Sequence, residues 1–377
     1  MDILNSLGAF SGSIAGYVVP FLFVLTVVVF FHELGHFLIA RWCGIRVLVF
    51  SLGFGPEIVG FNDRYGTRWK LSAIPLGGYV KFFGDADAAS APDREAVAAM
   101  TEEEKKDSFI HQPVGPRAAV VAAGPIANFI LAIAIFAGIF MTVGKQTTTA
   151  RVDAVLPNSA AQAAGFKPGD LVLSIAGQKI GSFSDMQRIV SMSAGEKLEI
   201  KVERGGVPVT LEATPQLRKD SVGNELGVLG ISRSMAAGDI KTQKMGPLEA
   251  IGAGAKETWY VVSRTLTYIG GVFTGHQPAN QLGGPIRIAQ VSGQVATAGF
   301  VPLIHLTAVL SISIGLLNLF PIPLLDGGHL LFYGIEATRG RPLSERAQEF
   351  GFRIGLAIVV MLMIFATFND IVHLATS

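Results

Sequence analysis

The stretch Phe31-His32-Glu33-Leu34-Gly35-His36-Phe37 carries an HExxH pattern inside a long apolar segment. On a helix, His32 and His36 lie one turn apart on the same face, so both imidazoles can reach one tetrahedral Zn²⁺ ion. Glu33 is then the candidate general base for a water at that metal. Between Ile14 and Ile39 the only formal charge is Glu33, in a segment long enough to cross a bilayer. Because ionisable groups at membrane depth are costly, this setting favours a metal site over a chance HExxH at a helix end.

Composition places the chain among integral membrane proteins. Half of its 377 residues are hydrophobic and only 16% are charged, whereas soluble domains carry about 25% charged residues. The net charge of +1 argues against nucleic acid as a partner. The single cysteine, Cys43, excludes an internal disulfide and a cysteine-based zinc site.

Hydropathy predicts about four membrane helices, at roughly Ile14–Trp42, Ala118–Val143, Phe300–Phe320 and Ile354–Phe368. Lys and Arg are absent from residues 1–40 and from the tail after Arg353, but they follow the first span and lie between the third and fourth. The basic residues concerned are Arg41, Arg46, Arg64, Arg68, Lys70, Lys81, Arg339, Arg341, Arg346 and Arg353. The positive-inside rule puts these loops in the cytoplasm and both termini outside, with the long 144–299 segment on the outer side.

The pattern predicts the following domain organisation. The parts are a first membrane helix with HExxH (1–46), a membrane-reentrant β-hairpin region (47–84), a cytoplasmic loop (85–116), a second membrane helix (117–144), a PDZ domain (145–235), an interfacial amphipathic helix region (236–299), a third membrane segment with an aspartate ligand (300–330), and a cytoplasmic loop with a fourth membrane helix (331–377). The predicted fold class is thus a mainly α-helical membrane protein with a membrane-associated β-hairpin and an extracytoplasmic α+β domain.

The hairpin region contains two strand-like runs, Val47–Pro56 and Trp69–Lys81, around a turn at Asn62–Gly66. An apolar hairpin directly after the HExxH helix can dip into the membrane if protein covers its edges. Its free edge can also pair with an extended peptide. A plain cytoplasmic hairpin is the alternative. The acidic residues 85–112 predict a solvated loop or short helix.

Polar residues interrupt two later spans. Asn128, in Gly124-Pro125-Ile126-Ala127-Asn128, is either an interhelical hydrogen-bonding residue beside a kink or a residue near the metal. Asp326 follows Pro321 and Pro323, which end the third span, and an aspartate there suits a third, oxygen ligand. The alternatives are an N-cap role for Asp326 and ligation by His329 instead.

Residues 150–215 predict a compact soluble module of four strand-like segments and a short helix at Ser184–Ser193. Pro157-Asn158-Ser159-Ala160-Ala161, followed by Ala164-Gly165-Phe166-Lys167-Pro168-Gly169-Asp170, resembles a PDZ domain of the bacterial protease type. Such domains take a peptide as an added strand, often by its C-terminus. Residues 246–275 are weakly amphipathic and suit either a helix at the outer membrane interface or a buried soluble helix.

Taken together, these motifs resemble the site-2 protease family of intramembrane zinc metalloproteases, in particular its bacterial RseP-like branch. The resemblance rests on His32–His36, on Gly124–Asn128, on the PDZ signature and on Asn318-Leu319-Phe320-Pro321-Ile322-Pro323-Leu324-Leu325-Asp326-Gly327. It covers nearly the whole chain. It departs from several RseP-like proteases, which carry tandem PDZ domains, because only one PDZ signature is present.

The resemblance implies that His32, His36 and Asp326 bind Zn²⁺ and that Glu33 activates water. It gives Asn318 a role in transition-state support, and Asn128, Gly77, Gly78 and Tyr79 a role in substrate binding. It implies single-pass membrane protein substrates already cut on the outer side, commonly anti-sigma factors, and a bacterial inner-membrane location. The PDZ domain would lie on the periplasmic side and the active site towards the cytoplasm.

Two other classes of function use part of the same pattern. A metal transporter also places His and Asp in membrane spans, but it would make Glu33 a ligand and leave the PDZ-like module unexplained. A catalytically inactive membrane scaffold would need neither the intact HExxH nor Asp326. The sequence therefore predicts peptide-bond hydrolysis within the membrane.

Overall fold

The computed structural model describes residues 14–85, 97–219, 225–233, 240–275 and 283–376. Parts of the predicted cytoplasmic loop, PDZ region and interfacial region lie outside these ranges. The chain forms two compact units. The membrane unit comprises residues 1–137, 251–266 and 279–377, and the β-rich unit comprises residues 138–250 and 267–278.

In chain order, the first elements are α1 Ile14–Trp42, β1 Val47–Asn62, β2 Arg68–Phe82, α2 Glu102–Asp107 and α3 Val114–Thr142. Then come β3 Lys145–Thr148, β4 Ala154–Val155, α4 Ala160–Ala163, β5 Leu171–Ile175, β6 Gln178–Lys179, α5 Phe183–Met192, β7 Leu198–Arg204, β8 Val207–Ala213, β9 Gln216–Lys219, β10 Glu225–Val228, β11 Ile231–Ser232 and β12 Ile240–Gln243. The last are α6 Pro247–Phe273, α7 Pro285–Thr297, α8 Phe300–Asn318, α9 Asp326–Arg339 and α10 Glu345–Thr376.

Within the described residues, four helices are long and apolar enough to cross a membrane: α1, α3, α8 and α10. They coincide with the four predicted spans, which confirms the prediction of a membrane protein. The helix α6 also forms where an amphipathic helix is predicted, and its Trp259, Tyr260 and Phe273 side chains are exposed. This exposure disfavours the buried alternative for α6.

Small residues bring α1, α3 and α8 together. A Cβ on Gly35 of α1 would lie 2.8 Å from the Ala123 carbonyl carbon of α3, so only glycine permits this approach. Gly315 of α8 similarly faces the Pro125 carbonyl oxygen of α3, at 3.1 Å from its would-be Cβ. Without strong hydrophobic driving force between membrane helices, such close backbone packing is what holds them together.

The predicted hairpin is present, but each of its strands bends. Residues 47–52 pair on one side with 78–82 and on the other with 68–71, while 57–62 pair with 68–72. The two strands thus form a sheet of four segments in the order 57–62, 68–72, 47–52 and 78–82. The bends are possible because Gly53, Gly55 and Gly77 adopt positive φ angles of 85°, 83° and 137°. Period-2 patterning predicts strands but not where glycine folds a strand back.

The β-rich unit is built on an antiparallel sheet in the order β6-β5-β7-β8. Its core includes Val172, Ile175, Ile200 and Val202, which lie on inward-facing positions of β5 and β7. The predicted strands after residue 170 and the predicted helix, which is α5, are present to within a few residues. The predicted strand at 150–155 is reduced to the two residues of β4 and a bridge between Arg151 and Leu171.

Two helices of the membrane unit were not predicted as separate helices. Residues 285–297 lie within the predicted interfacial amphipathic helix region (236–299), where they form a second helix, α7, which begins at Pro285. Residues 326–339 read as the end of a membrane segment and a loop, yet they form α9. Both helices begin at or next to turn-forming residues, Gly-Pro and Asp-Gly. The local sequence therefore indicates a turn rather than a helix.

An ion pair fixes the turn that carries the PDZ-like signature. The Arg204 guanidinium donates Nε–H to Asp170 Oδ1 and Nη2–H to Oδ2, both at 2.7 Å. Burial raises the pKa of the Asp170 carboxyl, but hydrogen bonds from Arg204 and from the Lys167 backbone N–H outweigh burial, so this pKa lies below its usual value.

Asp170→Asn is expected to destabilise the β-rich unit by about 3 kcal/mol at pH 7, because it leaves a partly buried guanidinium without its charge partner. Because folding lowers this pKa, the wild-type advantage is complete above the unfolded value of about 3.9 and disappears as the pH falls through the folded value. Hydrogen exchange of residues 150–213 in the full-length protein measures the difference. Glu212→Gln, at an exposed pair with Lys197, is the control and should cost under about 1 kcal/mol.

Candidate metal centre

Three ligand-type side chains converge within the membrane unit. His32 and His36 lie one turn apart on α1, and Asp326 is the first residue of α9. The Asp326 Oδ2 atom lies 3.2 Å from His32 Nε2 and 3.6 Å from His36 Nε2, and the two Nε2 atoms lie 3.3 Å apart. Among the described residues, this is the one cluster of three His, Cys, Asp or Glu side chains with converging ligand atoms.

The dimensions of this cluster fit a zinc ion. Tetrahedral Zn²⁺ with ligands at about 2.0–2.1 Å requires neighbouring ligand atoms about 3.3–3.4 Å apart. The three observed separations between the ligand atoms of His32, His36 and Asp326 are close to this value. Asp326 Oδ2 is also buried without a hydrogen-bond donor in the structure, which is costly for a carboxylate oxygen unless a cation completes the site. Two imidazoles and one carboxylate leave a fourth tetrahedral position for water or substrate.

Asp326 reaches this position because the helix α8 stops. It ends at Asn318, and Pro321 and Pro323 prevent its continuation. The N-cap of α9 is Leu325 rather than Asp326, so the predicted N-cap alternative does not describe this aspartate. His329 lies one turn further on, where its ring contacts Phe352 and Tyr333 rather than the two histidines. The geometry therefore groups Asp326, not His329, with His32 and His36.

The helix α3 orients His36. His36 Nδ1 donates a hydrogen bond to the Val120 carbonyl oxygen at 2.8 Å, which leaves Nε2 free to face the cluster. A Cβ on Gly124, one turn along α3, would lie 2.5 Å from His36 Cε1 and 2.9 Å from His32 Cε1. The rings thus occupy the space that a side chain at Gly124 would need. Neither Val120 nor Gly124 carries a chemical signal of its own, so sequence reasoning could not assign them these roles.

Asn128 lies against the other histidine. It is fully buried, and its side-chain amide lies 3.2 Å from His32 Nδ1. If His32 Nε2 binds a metal, Nδ1 carries the hydrogen, and the matching orientation of the amide presents its oxygen to Nδ1–H. The backbone carbonyl of Asn128 also accepts a hydrogen bond from Ser311 of α8 at 2.9 Å. Its position suits both roles left open by the sequence, but full burial places it behind the ligand rather than on a surface that meets substrate.

Asn128→Ala is expected to weaken zinc binding by about 10- to 100-fold, as the loss of a hydrogen bond to a ligand imidazole does elsewhere. Ser311→Ala removes the contact between α8 and α3 but leaves His32 untouched, so it separates the two roles of this region. Equilibrium competition with a chelator measures both variants. Equal effects of the two substitutions would mean that Asn128 only joins the helices.

Glu33 lies between the cluster and the bent sheet. Its carboxylate is within electrostatic range of His32, His36 and Asp326. A Cβ on Gly78 of β2 would lie 3.0 Å from Glu33 Cγ, so the backbone of the 78–82 segment passes close to this side chain. Tyr79 is half-buried and stacks on Phe54, and a Cβ on Gly77 would meet the same Phe54 ring. Three of the four predicted substrate-binding residues, Gly77, Gly78 and Tyr79, therefore lie at or next to the start of the sheet segment that passes Glu33.

Asn318 is the last residue of α8 and is partly exposed. No hydrogen bond joins its side chain to another residue in the described part of the chain. This leaves its amide available, directly before the loop that leads to Asp326. The predicted role of Asn318 in catalysis remains a prediction.

Three converging ligand-type side chains, two of them on a helix long and apolar enough to cross a membrane, with a glutamate beside them, are typical of a membrane metallopeptidase. The comparisons with known proteins agree. Residues 20–362 match the model of peptidase family M50, and the chain belongs to this family. It is 51% identical over 372 residues to a protein of Agrobacterium fabrum named as a candidate zinc metalloprotease, Atu1380, and the match covers 98% of this chain and 99% of the relative.

Two further relatives carry more specific names. The chain is 41% identical over 379 residues to the metalloprotease MmpA of Caulobacter vibrioides, covering 94% of each chain. It is 31% identical over 455 residues to the regulator of sigma-E protease RseP of Salmonella typhimurium, covering 95% of this chain and 99% of the relative. Family membership confirms the predicted resemblance to site-2 proteases and the predicted enzyme class, a zinc metallopeptidase.

Proposed function

We propose that this protein hydrolyses a peptide bond within or near the membrane-spanning segment of a single-pass membrane protein, after a first cut on the outer side. The observation that carries the proposal is the convergence of His32, His36 and Asp326 at tetrahedral spacing beside Glu33. Both histidines and Glu33 lie on a helix long and apolar enough to cross a membrane. An anti-sigma factor is the substrate class that the resemblance to RseP favours.

His32, His36 and Asp326 would hold the zinc ion. When bound, zinc supplies Lewis acidity and lowers the pKa of water to about 7. Glu33 takes the proton from the attacking water and then gives a proton to the departing amine. Asn318 supports the developing charge with its available side-chain amide. A transporter would use Glu33 as a ligand, but the three ligand atoms form a complete set without it.

The bent sheet presents the substrate as a strand. Residues 78–80 pair with residues of the 47–52 segment on one side and with no described strand on the other, and Gly78 of this segment lies against Glu33 of α1. An extended peptide added at this edge satisfies its backbone hydrogen bonds and exposes its amides to attack. Because helical amides are already hydrogen-bonded, helix-breaking residues in the substrate should favour cleavage.

The β-rich unit recognises the trimmed end of the substrate as a PDZ-like domain. A cavity of about 210 Å³ lies between α5 and the strands β10 and β11. It is lined by Phe183, Met186, Val190 and residues 227–231. Ile231 of β11 lines this cavity, and β11 pairs with β4 alone among the described strands, which suits an added strand. Met186→Lys should abolish binding of a labelled peptide with a free C-terminus; unchanged binding would leave size exclusion as the role of this unit.

The protein lies in the inner membrane of a bacterium, with the basic loops in the cytoplasm and the PDZ-like unit in the periplasm. Replacing Cys43 by serine and introducing a single cysteine at Ser344 tests this orientation. We expect labelling of the new cysteine only after the membrane is permeabilised. Labelling of intact cells from outside would reverse the topology.

The proteolytic function is tested with a tagged single-pass substrate in membranes that contain this protein. We expect cleavage of the pre-cut substrate, its loss after zinc is removed by a chelator, and its return when zinc is added back. The uncut substrate is the control and should be cleaved more slowly. Cleavage that survives complete zinc removal would contradict the proposal, and peptide binding without any cleavage would favour a scaffold.

A further inference from the structure

The loop between α8 and α9, residues 319–325, ends directly before the proposed zinc ligand Asp326. We infer that two glycines of α10, which together form a notch in this helix, hold the loop and thereby position the Asp326 carboxylate. The notch consists of Gly351 and Gly355, one turn apart on α10. The inference rests on the proposed role of Asp326 as a ligand, and it assigns the helix α10 a part in building the metal centre.

The notch receives Pro323. A Cβ on Gly355 would collide with the Pro323 carbonyl oxygen, and it would lie 2.6 Å from the carbonyl carbon and 3.0 Å from the Pro323 Cβ. These neighbours are backbone and ring atoms of a residue with a fixed φ angle, so they cannot turn away. A Cβ on Gly351 would lie 3.7 Å from Pro323 Cγ and 3.0 Å from Phe332 Cζ, the tip of a side chain that can move. Gly355 is therefore the stricter contact.

The start of α9 also packs closely against this loop. A Cβ on Gly328 would lie 2.6 Å from Pro323 Cα and 2.7 Å from the Ile322 carbonyl carbon. The adjacent Gly327 has no room for a side chain either, because the backbone of Leu319 and Phe320 occupies that space. Residues 322 and 323 are thus enclosed between glycines of two different helices. If α10 moved, the loop would lose its contact with Gly355 and keep only the contacts with α9.

Backbone strain shows that the loop needs this support. Leu324 adopts a φ angle of 95°, a conformation unfavourable for a residue with a side chain. Such a conformation persists only where the surroundings fix it. Leu324 itself is exposed, so its own side chain does not supply the restraint. The restraint comes from its neighbour Pro323 in the notch and from Leu325, whose N–H bonds to the Ile322 carbonyl at 3.0 Å.

The rest of α10 is little constrained by packing. Only 6% of its apolar stretch is buried. At its far end the buried Asp370 carboxylate accepts hydrogen bonds from the backbone N–H groups of Gly284, Ile286 and Arg287, at 2.8, 3.0 and 3.1 Å. The helix is thus attached near both ends, and the notch is the attachment that reaches the ligand loop.

The test uses the full-length protein in detergent with Co²⁺ in place of zinc, because the visible absorption of Co²⁺ reports the geometry of its ligands. Gly355→Ala is expected to shift this spectrum towards that of Asp326→Asn and to release the metal to a chelator at least about tenfold faster. Gly351→Ala should shift it in the same direction by less. Gly334→Ala on α9, where a Cβ meets no atom within 4 Å, should change neither readout.

The outcomes separate the inference from the proposed function. A folded Gly355→Ala protein with the wild-type spectrum and release rate would overturn the inference. If Gly355→Ala does not fold, Gly351→Ala decides, and a result equal to the Gly334→Ala control overturns the inference. If Asp326→Asn itself leaves the Co²⁺ spectrum unchanged, the assignment of Asp326 as a ligand fails instead.

Discussion

Glu33→Gln is expected to abolish detectable peptide-bond cleavage while the protein keeps its zinc. The substitution preserves the size and polarity of the side chain but removes its ability to accept a proton from water. Because general-base catalysis contributes about 10²- to 10⁴-fold, we expect a loss of at least about 100-fold in turnover. The three proposed ligands do not include Glu33, so the metal content should not change. Cleavage of the tagged substrate and metal analysis of the same purified sample give both readouts.

The control for this variant is Glu349→Gln, at an exposed pair with Arg353 on α10. It makes the same chemical change in another apolar helix and should leave cleavage and zinc content as they are. Loss of zinc together with cleavage in Glu33→Gln would make Glu33 a ligand and would favour a transport-type site. Unchanged cleavage in the variant would mean that another enzyme cuts the substrate.

Asp326→Asn is expected to lose both zinc retention and cleavage. A neutral amide oxygen is a much weaker ligand than a carboxylate, and two histidines alone leave the metal exposed to competing chelators. Loss of a hydrogen bond to a ligand typically costs about 10- to 100-fold in affinity, so loss of a ligand should cost more than about 100-fold. Chelator competition and metal analysis measure the affinity, and the cleavage assay measures the activity.

His329→Phe is the matched variant, because His329 is the other candidate ligand near the start of α9. Its ring packs against Phe352 and Tyr333, and phenylalanine preserves this aromatic packing. We expect His329→Phe to keep zinc and cleavage near wild-type levels. The opposite pattern, zinc lost in His329→Phe and kept in Asp326→Asn, would reassign the third ligand to His329.

The sequence by itself determined the membrane helices and the two histidines of the site. Membrane helices can be predicted from the sequence because nearly every residue over a full span must be apolar, which is a strong and local requirement. The His32 and His36 pair is readable because helical periodicity alone puts positions i and i+4 on one face. The strands β5, β7 and β8 and the helix α5 of the β-rich unit follow from the same kind of local pattern. Their agreement with the structure reflects local rules that tertiary packing did not override.

The tertiary structure decided which distant residues complete the site. Asp326 lies far along the chain from His36, and only the fold brings their atoms within 3.6 Å. The choice between Asp326 and His329, the contact of Asn128 with His32, and the passage of Gly78 beside Glu33 likewise depend on how α3, α9 and the bent sheet pack on α1. Glycines also cause the strand bends at Gly53 and Gly77 and the close contact of Pro323 with Gly355. Their role in each case is the absence of a side chain. A sequence shows that a glycine is present, but only the packed structure shows which backbone needs the space.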